Sequence, residues 1–405
     1  MPDLLDLTDP RTYANNDMDE VWRRFRADDP VHWHPATERG PGFWVISRYA
    51  DICAVLRDDA RFTSEKGNVL ATMLAGGDTG AGRMLAVTDP PHHTELRRLL
   101  LRAFAPRPLE GVARRVRRAT RLLLTEAVER GECDFARDIA SVIPLATICD
   151  LLDVPEADRR ELLTLTKSAL ASDYADPDAG EDRLARAEIL LYFADLVKER
   201  RASPGADPIS LMATAELPGG RLSDDDIVLN CYSLIMGGDE TSRLAMIGAV
   251  HAFMAYPDQW AALRNRAVTV ESAGEEVLRW TTPTMHFGRA AVADVELDGR
   301  TIAAGDLVTT WLVSGNRDES VFAAPDTFDL ARSPNKHLAL GYGRHFCIGA
   351  HLGRVEINAM LDGLRTFVAG MEPAGTERRL YSSFLSGISS LPVRLKAAEP
   401  VGWEE

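Results

Sequence analysis

The sequence predicts a mainly α-helical fold with small peripheral β-sheets. Apolar residues recur at three- and four-residue spacing over long segments, whereas the alternating pattern of half-buried strands is short and infrequent. No linker or low-complexity stretch divides the 405 residues, of which 45% are hydrophobic, so a single domain spanning residues 1–405 is expected. The helical pattern occupies residues 112–130, 156–171, 183–200, 223–256 and 269–280.

Four short segments carry strand signals. Phe43–Ile46 is a run of aromatic and β-branched residues. Residues 291–303 predict a hairpin, because two apolar runs flank an Asp-Gly dipeptide that favours a tight turn. Residues 307–313 predict a further strand, and residues 380–395 predict a ribbon.

Residues 64–88 form a long glycine-rich segment with interleaved apolar residues. A plain surface loop and a functional lid account for this pattern equally well, because long loops without secondary structure are uncommon in compact domains unless they serve a site. Its apolar members would suit a lid over an apolar ligand. They are Val69, Leu70, Met73, Leu74 and Met84.

Composition excludes several functional classes. The formal net charge of −15 argues against nucleic acid as a partner. Five widely spaced cysteines indicate a reducing compartment, and neither a disulfide framework nor a zinc site. The polar, acidic N-terminus shows no signal peptide and no membrane-spanning apolar run, so a cytoplasmic protein without a membrane anchor is expected.

Residues 340–349, Leu-Gly-Tyr-Gly-Arg-His-Phe-Cys-Ile-Gly, are the most informative segment for function. Gly341 and Gly343 permit a tight turn beneath a flat ligand. Cys347 precedes the helical pattern of residues 351–367, whose N-terminal dipole stabilises a thiolate by about 0.3–1 kcal/mol. A thiolate held in such a loop is a haem axial ligand. The alternative for this cysteine is a small buried hydrophobe.

The longest helical pattern is interrupted by glycines, acids and a hydroxyl. These residues are Gly237, Gly238, Asp239, Glu240 and Thr241. Paired glycines weaken a helix interior by roughly 1 kcal/mol each relative to alanine, and a bond from Thr241 to the Gly237 carbonyl would loosen it further. A widened groove with a hydroxyl and an acid suits oxygen activation, which needs space and protons. The alternative is a kinked structural helix with a solvated acidic patch. For Asp239 alone, pairing with Arg243 is a further alternative.

Both segments resemble motifs of the cytochrome P-450 family of haem-thiolate monooxygenases. Residues 340–349 match the signature Phe-Gly-x-Gly-x-His-x-Cys-x-Gly, from which only Leu340 departs. Residues 237–241 are similar to the family motif Ala/Gly-Gly-x-Asp/Glu-Thr. The resemblance extends over residues 21–395, so it covers nearly the whole chain.

The resemblance implies the cytochrome P-450 fold of the soluble bacterial type, with haem between an oxygen-binding helix and the cysteine-loop helix. It implies haem b with Cys347 as the iron ligand. It makes Glu240 the source of protons and Thr241 the residue that holds the oxygen being activated. The implied reaction is the hydroxylation or epoxidation of an apolar small molecule by dioxygen.

Further residues are assigned by family position. The cations expected to contact the haem carboxylates are His93, Arg97, Arg289 and His345. The adjacent His92 and Arg98 stay as alternatives, and an ordinary surface cation is the alternative for each one. The family's structural ion pair corresponds to Glu276, Arg279 and Arg332.

The substrate pocket is also assigned by family position. Its candidates are Val69, Leu70, Met73, Leu74, Met236, Gly237, Met285, His286, Phe287 and Leu385. This mostly apolar set implies a polyketide, terpenoid, steroid or aromatic ligand, with His286 placed to meet one polar group. Similar bacterial proteins often act in secondary metabolism, and some of their substrates are tethered to a carrier protein.

The electron source must be a separate protein, because the chain has no dinucleotide fingerprint and no spare length for a flavin domain. A ferredoxin with its reductase is expected. Nine arginines and one acid lie within residues 97–121, and this arginine stripe, with Arg344, would present a cationic face to an acidic ferredoxin. A solvated helix face is the alternative. Two rival functions are a peroxide-driven or isomerising haem enzyme and a non-catalytic relative that activates a partner enzyme.

Overall fold

The computed structural model describes residues 5–170 and 181–399. The main core is built from helices that surround one 32-residue helix. The helices are α1 (Pro10–Asn15), α2 (Met18–Asp28), α3 (Tyr49–Arg57), α4 (Leu70–Leu74), α5 (His92–Leu100), α6 (Pro106–Arg130), α7 (Ile143–Leu151), α8 (Arg159–Leu170), α9 (Glu181–Ala202), α10 (Pro208–Thr214), α11 (Asp224–Ala255), α12 (Pro257–Arg264), α13 (Val270–Thr281), α14 (Leu312–Gly315) and α15 (Ala350–Phe367).

The central helix, α11, begins at a complete capping box. The Ser223 hydroxyl accepts a hydrogen bond from the Asp226 N–H (3.2 Å), and the Asp226 carboxylate accepts one from the Ser223 N–H (3.0 Å). Three aspartates in the first turn complement the positive end of the helix dipole. The helix then packs against α7, α9, α13 and α15, so its glycine-rich middle lies inside the fold.

The strands are short and form small sheets. They are β1 (Val31–His34), β2 (Phe43–Ile46), β3 (Phe62–Thr63), β4 (Glu132–Asp134), β5 (Glu216–Leu217), β6 (Gly220–Arg221), β7 (His286–Ala291), β8 (Val295–Leu297), β9 (Arg300–Ile302), β10 (Leu307–Trp311), β11 (Val368–Pro373), β12 (Arg378–Arg379), β13 (Ile388–Ser390) and β14 (Pro392–Ala397). The largest sheet has the order β1-β2-β10-β7-β3, in which β2 and β10 are parallel and the other neighbours antiparallel.

The prediction of a mainly helical fold with small sheets is confirmed. Each predicted helical segment has a counterpart, although α6 begins at Pro106 instead of residue 112. Residue 171, the predicted end of the second segment, lies outside the described residues. Within the described ranges, no helix combines the length and apolar character needed to cross a membrane.

The predicted hairpin is confirmed, and two predicted strands differ from the structure. Asp298 and Gly299 have φ of +48° and +71°, as the tight turn between β8 and β9 requires. The strand predicted for residues 307–313 ends at Trp311, because the chain turns there into α14. The ribbon predicted for residues 380–395 is divided, since β13 pairs with β12 whereas β14 pairs with β11 and β4.

A buried ion network ties α13 to the segment that precedes the cysteine loop. Glu276 is fully buried and accepts hydrogen bonds from Arg279 (Nη2 to Oε1, 2.7 Å) and Arg332 (Nε to Oε2, 3.1 Å). Arg279 also donates to the carbonyls of Asn316 and Pro325, both at 2.9 Å. The structure thus brings together the three residues that the sequence analysis grouped, and it gives each charge a partner.

We expect Glu276→Ala to destabilise the protein by on the order of 3–5 kcal/mol, because two guanidinium groups would stay buried without their carboxylate. Chemical denaturation followed by circular dichroism measures this loss. Glu271→Ala, at an exposed position of the same helix, is the matched control and should cost less than about 1 kcal/mol. A Glu276→Ala protein with wild-type stability would contradict the structural role.

Candidate functional site

The loop that carries Cys347 is shaped by two glycines in the left-handed region. Gly341 and Gly343 have φ of +74° and +73°, a conformation that other residues rarely adopt. A Cβ atom at Gly343 would also lie 2.4 Å from the carbonyl oxygen of Leu56. The Cys347 N–H donates to the Leu340 carbonyl at 2.8 Å and closes the loop. The glycines of the motif are therefore required by the backbone.

The sulfur of Cys347 is desolvated, although the residue has accessible surface. The residue has solvent-accessible surface, yet burial by the surrounding protein raises the pKa of its thiol above the ordinary value. A backbone hydrogen bond from Gly349 and the positive charges of Arg97 and Arg354 lower this pKa. The sulfur is therefore desolvated although the residue keeps accessible surface.

Burial opposes thiolate formation at Cys347, and the start of the following helix favours it. That helix, α15, begins at Ala350 with Gly349 as its N-cap, and the hydrogen bond from Gly349 lowers the Cys347 pKa while burial raises it. Coordination to a metal deprotonates a thiol outright. A bound metal would therefore favour the anionic form of Cys347.

Two arginines and two histidines converge beside the cysteine loop. The rings of His93 and His345 lie 4.3 Å apart between centroids, and Arg97 Nη2 donates to the Phe346 carbonyl at 2.5 Å. Burial, reinforced by neighbouring arginines, lowers the pKa of His93 to about 4 and that of His345 to about 2. Burial also lowers the pKa of Arg289 to about 10. The cluster disfavours further positive charge and favours an anion.

The cluster fits the carboxylates of a haem. Within the part of the chain that the structure describes, both ring nitrogens of His93 are buried without a hydrogen-bond partner, which costs about 1–3 kcal/mol. An anion would accept from this ring and balance the nearby arginines. His345 differs, since its Nε2 lies 3.2 Å from the Ser64 hydroxyl. The site thus fits a group that offers a metal to Cys347 and carboxylates to His93.

The middle of α11 opens into space at Gly237. A Cβ atom there would meet no heavy atom of the described residues within 4 Å, whereas a Cβ at Gly238 would lie 3.2 Å from Ile148. One glycine thus faces a groove, and the next lets α7 approach closely. The Thr241 hydroxyl donates to the Gly237 carbonyl over 3.4 Å, a long and therefore weak bond. Little energy is needed to turn this hydroxyl toward another acceptor.

Glu240 is held by an arginine of its own helix. Arg243 donates from Nε to Glu240 Oε2 at 3.1 Å and from Nη2 to Oε1, and both side chains are buried. The sequence analysis considered Arg243 as the partner of Asp239, and the structure shows a pair of Arg243 with Glu240, three residues earlier. This pair stabilises the ionised form of Glu240.

The structure places His286 in the core. Its ring is fully buried, with its centroid 4.5 Å from that of Trp311 and 5.4 Å from that of Phe384. Its Nε2 accepts a hydrogen bond from the Leu70 N–H at 3.2 Å. Its Nδ1 has no hydrogen-bond partner among the described residues. The ring thus holds α4 in place through one nitrogen, and a contact of the other nitrogen with a polar group of a substrate stays a prediction.

The other pocket candidates fall into two groups. Leu70 and Met285 are buried with side chains of α2 and β2, and Met73 packs against Gly288, where a Cβ would lie 2.1 Å from its sulfur. Leu385 is buried and forms a bridge with Thr284. These four side chains are buried in the structure. The candidates with accessible surface are Val69, Leu74, Met236, Gly237 and Phe287.

The glycine-rich segment 64–88 is attached to the site on both sides. The Gly288 N–H donates to the Asn68 carbonyl at 2.8 Å, and the Leu85 N–H donates to Asn230 Oδ1 of α11 at 2.9 Å. The segment also contains α4 and a short 3₁₀ turn. These bonds tie the segment to β7 and α11, and the loop and lid interpretations both stay open.

Sequence reasoning missed one acid, Glu356 of α15. It is buried, and burial raises its pKa to about 7. The signal was present, because Glu356 lies four residues from both Leu352 and Met360 on the apolar face of the predicted helix. A charged residue at a core position of an amphipathic helix is uncommon unless it is paired or functional.

Comparisons with known proteins agree with this geometry. A family model described as cytochrome P450 matches residues 185–396. The protein named cytochrome P450 NovI, from Streptomyces niveus, is 50% identical over 391 residues that cover 96% of each chain. Linalool 8-monooxygenase of Pseudomonas putida is 31% identical, over 96% of this chain and 98% of its own.

A solved structure shows the same fold. The crystal structure of P450 OxyD, described as involved in the biosynthesis of vancomycin-type antibiotics, matches with a TM-score of 0.89 at 34% sequence identity. The match covers 98% of this chain and all of the other. The likeness therefore extends beyond the cysteine loop to the whole arrangement of helices.

The buried His286 predicts a specific loss of stability in acid. Burial lowers its pKa from the ordinary 6.5 to about 3, so the unfolded chain binds a proton that the folded state excludes. The free energy of unfolding should keep its full value above pH 6.5. Below pH 6.5 it should fall by up to about 1.4 kcal/mol per pH unit, until the pH reaches the pKa of His286 in the folded state. His286→Gln keeps an acceptor for Leu70 without titrating. Urea denaturation at several pH values should therefore give a shallower acid dependence for this variant, and equal slopes would contradict the assignment.

Proposed function

The chain belongs to the cytochrome P450 family, and from that premise we propose that it hydroxylates or epoxidises an apolar small molecule with electrons from a separate ferredoxin. It is a monooxygenase whose cofactor is a haem with a cysteine ligand. When bound, the haem supplies the activation of dioxygen. The observation that carries the proposal is the desolvated sulfur of Cys347 beside a cluster of buried cations.

Cys347 is proposed as the iron ligand, and the cluster is proposed to bind the haem carboxylates. The desolvation of the sulfur supports the first assignment, because a desolvated thiol gains most from a metal. The unpartnered ring of His93 and the lowered pKa of Arg289 support the second, since a carboxylate would reverse both penalties. Arg97 and His345 complete the proposed set.

Thr241 is proposed to hold the oxygen being activated, in the space beside Gly237. Its weak bond to the Gly237 carbonyl leaves the hydroxyl able to turn toward that space. Glu240 is proposed to pass protons to it. Because Arg243 binds both carboxylate oxygens, this ion pair must open before Glu240 can take up a proton. A peroxide-driven enzyme would not need such a relay, so these residues favour the monooxygenase over that rival.

The proposed substrate is an apolar compound of secondary metabolism, such as a polyketide, terpenoid, steroid or aromatic. Accessible apolar side chains on three different elements, Val69, Met236 and Phe287, support the apolar character. P450 OxyD, described as involved in antibiotic biosynthesis, supports the metabolic role. Spectral titration of the ferric protein with free compounds, and with the same compounds attached to a carrier protein, would show whether the substrate is free or carrier-bound.

The proposed ferredoxin surface is the part of the arginine stripe next to the cysteine loop. Arg98 and Arg102 are exposed, and Leu101 between them is 43% exposed. One turn earlier, Arg97 contacts the carbonyl of Phe346, which is itself 38% exposed. An exposed apolar surface that is bordered by cations suits the binding of a small acidic protein.

Other members of the stripe have partners within the chain. Arg115 pairs with Asp150, and Arg344 pairs with Asp59. The side chain of Arg107 lies outside the described residues. The cationic surface proposed for docking is therefore centred on Arg98 and Arg102.

Thr241→Ala should keep its haem but lose coupling between electron use and product formation. The substitution removes the hydroxyl from the groove and leaves the cation cluster unchanged. We expect product formation to fall on the order of tenfold or more, with the missing electrons recovered as hydrogen peroxide. Paired assays of NAD(P)H consumption, product and peroxide measure this split.

Thr164→Ala is the control for that experiment, since Thr164 is an exposed helical threonine that donates to a carbonyl one turn earlier. It should match the wild type. Unchanged coupling in Thr241→Ala would remove Thr241 from the proposed relay.

Reduction by an acidic ferredoxin should depend on the cationic surface. The double substitution Arg98→Glu and Arg102→Glu should slow reduction on the order of tenfold at low ionic strength, because attraction becomes repulsion. Stopped-flow reduction at several salt concentrations tests this, and the difference from wild type should shrink as salt rises. Arg264→Glu, an exposed position outside the stripe, is the control. A wild-type rate without salt dependence would exclude electrostatic docking.

A further inference from the structure

Two neighbouring surfaces of the molecule combine exposed leucines with charges of opposite sign. Among the described side chains, the three most exposed large apolar ones are Leu191 (66%), Leu122 and Leu184 (both 61%). Leu122 lies on α6, and the other two lie on α9. Single exposed leucines are ordinary, whereas exposed apolar surface that is bordered by polar side chains is typical of interaction sites. Neither surface is used by the cysteine loop or by the groove of α11.

The basic surface is one face of α6. Arg114, Arg118 and Leu122 follow one another at four-residue spacing and are all exposed, so they share that face. Within the described ranges, neither arginine forms an ion pair with another side chain. Both belong to the arginine stripe, but the proposed ferredoxin surface is centred on Arg98 and Arg102. The charge of this face is therefore not accounted for by the proposed function.

The acidic surface is a groove of about 320 Å³ between α8 and α9. Three carboxylates and three leucines line it, namely Asp158, Glu161, Glu188, Leu162, Leu165 and Leu191. The Tyr192 hydroxyl donates to Asp158 Oδ2 at 2.9 Å and fixes that carboxylate at the groove. Glu161 and Glu188 are exposed. Apolar walls with exposed carboxylates suit an apolar side chain that is flanked by cations.

Asp150 of α7 places the two surfaces side by side. Its carboxylate accepts hydrogen bonds from Arg115 of α6 (Nε to Oδ2) and Arg159 of α8 (Nη1 to Oδ1), both at 2.5 Å. Arg115 precedes Leu122 by seven residues, which is about two helical turns, so both lie on the same side of α6. Arg159 follows Asp158 of the groove. The basic face and the acidic groove therefore adjoin on one side of the molecule.

A second copy of the chain offers both complements at once. When two opposite surfaces adjoin, a two-fold axis between them brings each one against its complement on the other copy. The net charge of −15 opposes association at long range. The Debye length at physiological salt is about 8 Å, however, so this repulsion is screened more than contacts between paired side chains. Self-association is therefore compatible with an acidic protein.

We propose that these surfaces form a two-fold dimer, in which α6 of each copy docks on the α8–α9 groove of the other. Leu122 packs into the groove, and Arg114 and Arg118 lie beside its carboxylates. The two contacts are equivalent, because an isologous interface is reciprocal. Each contact is small, so the dimer is reversible instead of permanent. The inference does not depend on the haem chemistry or on the ferredoxin surface.

Sedimentation velocity of the haem-loaded protein tests the association directly. At about 0.15 M salt, the wild type should shift with rising concentration from the 44.5 kDa monomer to a species of twice that mass. Larger species should be absent, because a two-fold interface closes on itself. A protein that stays monomeric up to its solubility limit would overturn the proposal, and so would a series of larger species.

Charge reversal tests which surfaces meet. Arg114→Glu with Arg118→Glu, and separately Glu161→Arg with Glu188→Arg, should each weaken dimerisation on the order of tenfold or more, because both contacts of the dimer become repulsive. An equimolar mixture of the two variants should dimerise again. In a mixed dimer, one contact joins the two altered surfaces, whose signs are both exchanged, and the other joins two native surfaces. Variants that dimerise like the wild type, or a mixture that does not recover, would contradict the docking.

Matched controls separate the surfaces from the net charge. Arg264→Glu with Arg266→Glu, and Glu271→Arg with Glu296→Arg, make the same charge changes at exposed positions elsewhere and should dimerise like the wild type. Equal weakening in these controls would mean that net charge alone governs association and would refute the docking. Leu122→Ser should also weaken dimerisation. Haem content and circular dichroism should match the wild type in every variant, because the substituted side chains are exposed.

Discussion

The desolvation of the Cys347 sulfur is the constraint on which the site depends. Burial works against the thiolate, and the Gly349 N–H and two arginines offset it only in part. The same region concentrates two arginines and two imidazoles whose pKa values are lowered by burial. A haem in the proposed position would resolve both problems together, because its iron would ionise the sulfur and its carboxylates would balance the two arginines. The protein alone therefore holds an unbalanced site that its cofactor completes.

The helices on either side of this site divide the chemistry between them. α15 follows the cysteine loop, and α11 provides an open groove at Gly237 with a weakly held hydroxyl at Thr241. Two buried acids of these helices have different environments. Arg243 pairs with Glu240 of α11, whereas burial raises the pKa of Glu356 of α15 to about 7.

Local patterns allowed much of this to be predicted from the sequence. The glycine spacing around Cys347 predicted a tight loop because two positions need positive φ, and the period of apolar residues predicted α11 because most of that helix is buried. Properties that arise between distant segments could not be predicted. The pKa of Cys347 depends on what surrounds the loop, and His286 lies in the core because β7 pairs with β10. Glu356 was detectable by its place on an apolar face, but its partners on α7 and α11 were not.

The most direct test of the account is the spectrum of the reduced, carbon monoxide-bound protein, compared with that of a Cys347→Ser variant. Sulfur ligation predicts that the wild-type Soret band is displaced to the long-wavelength position typical of thiolate-ligated haem, and that the variant loses this displacement. A wild-type complex that absorbs like that of myoglobin, or purified protein without haem colour, would contradict the central claim.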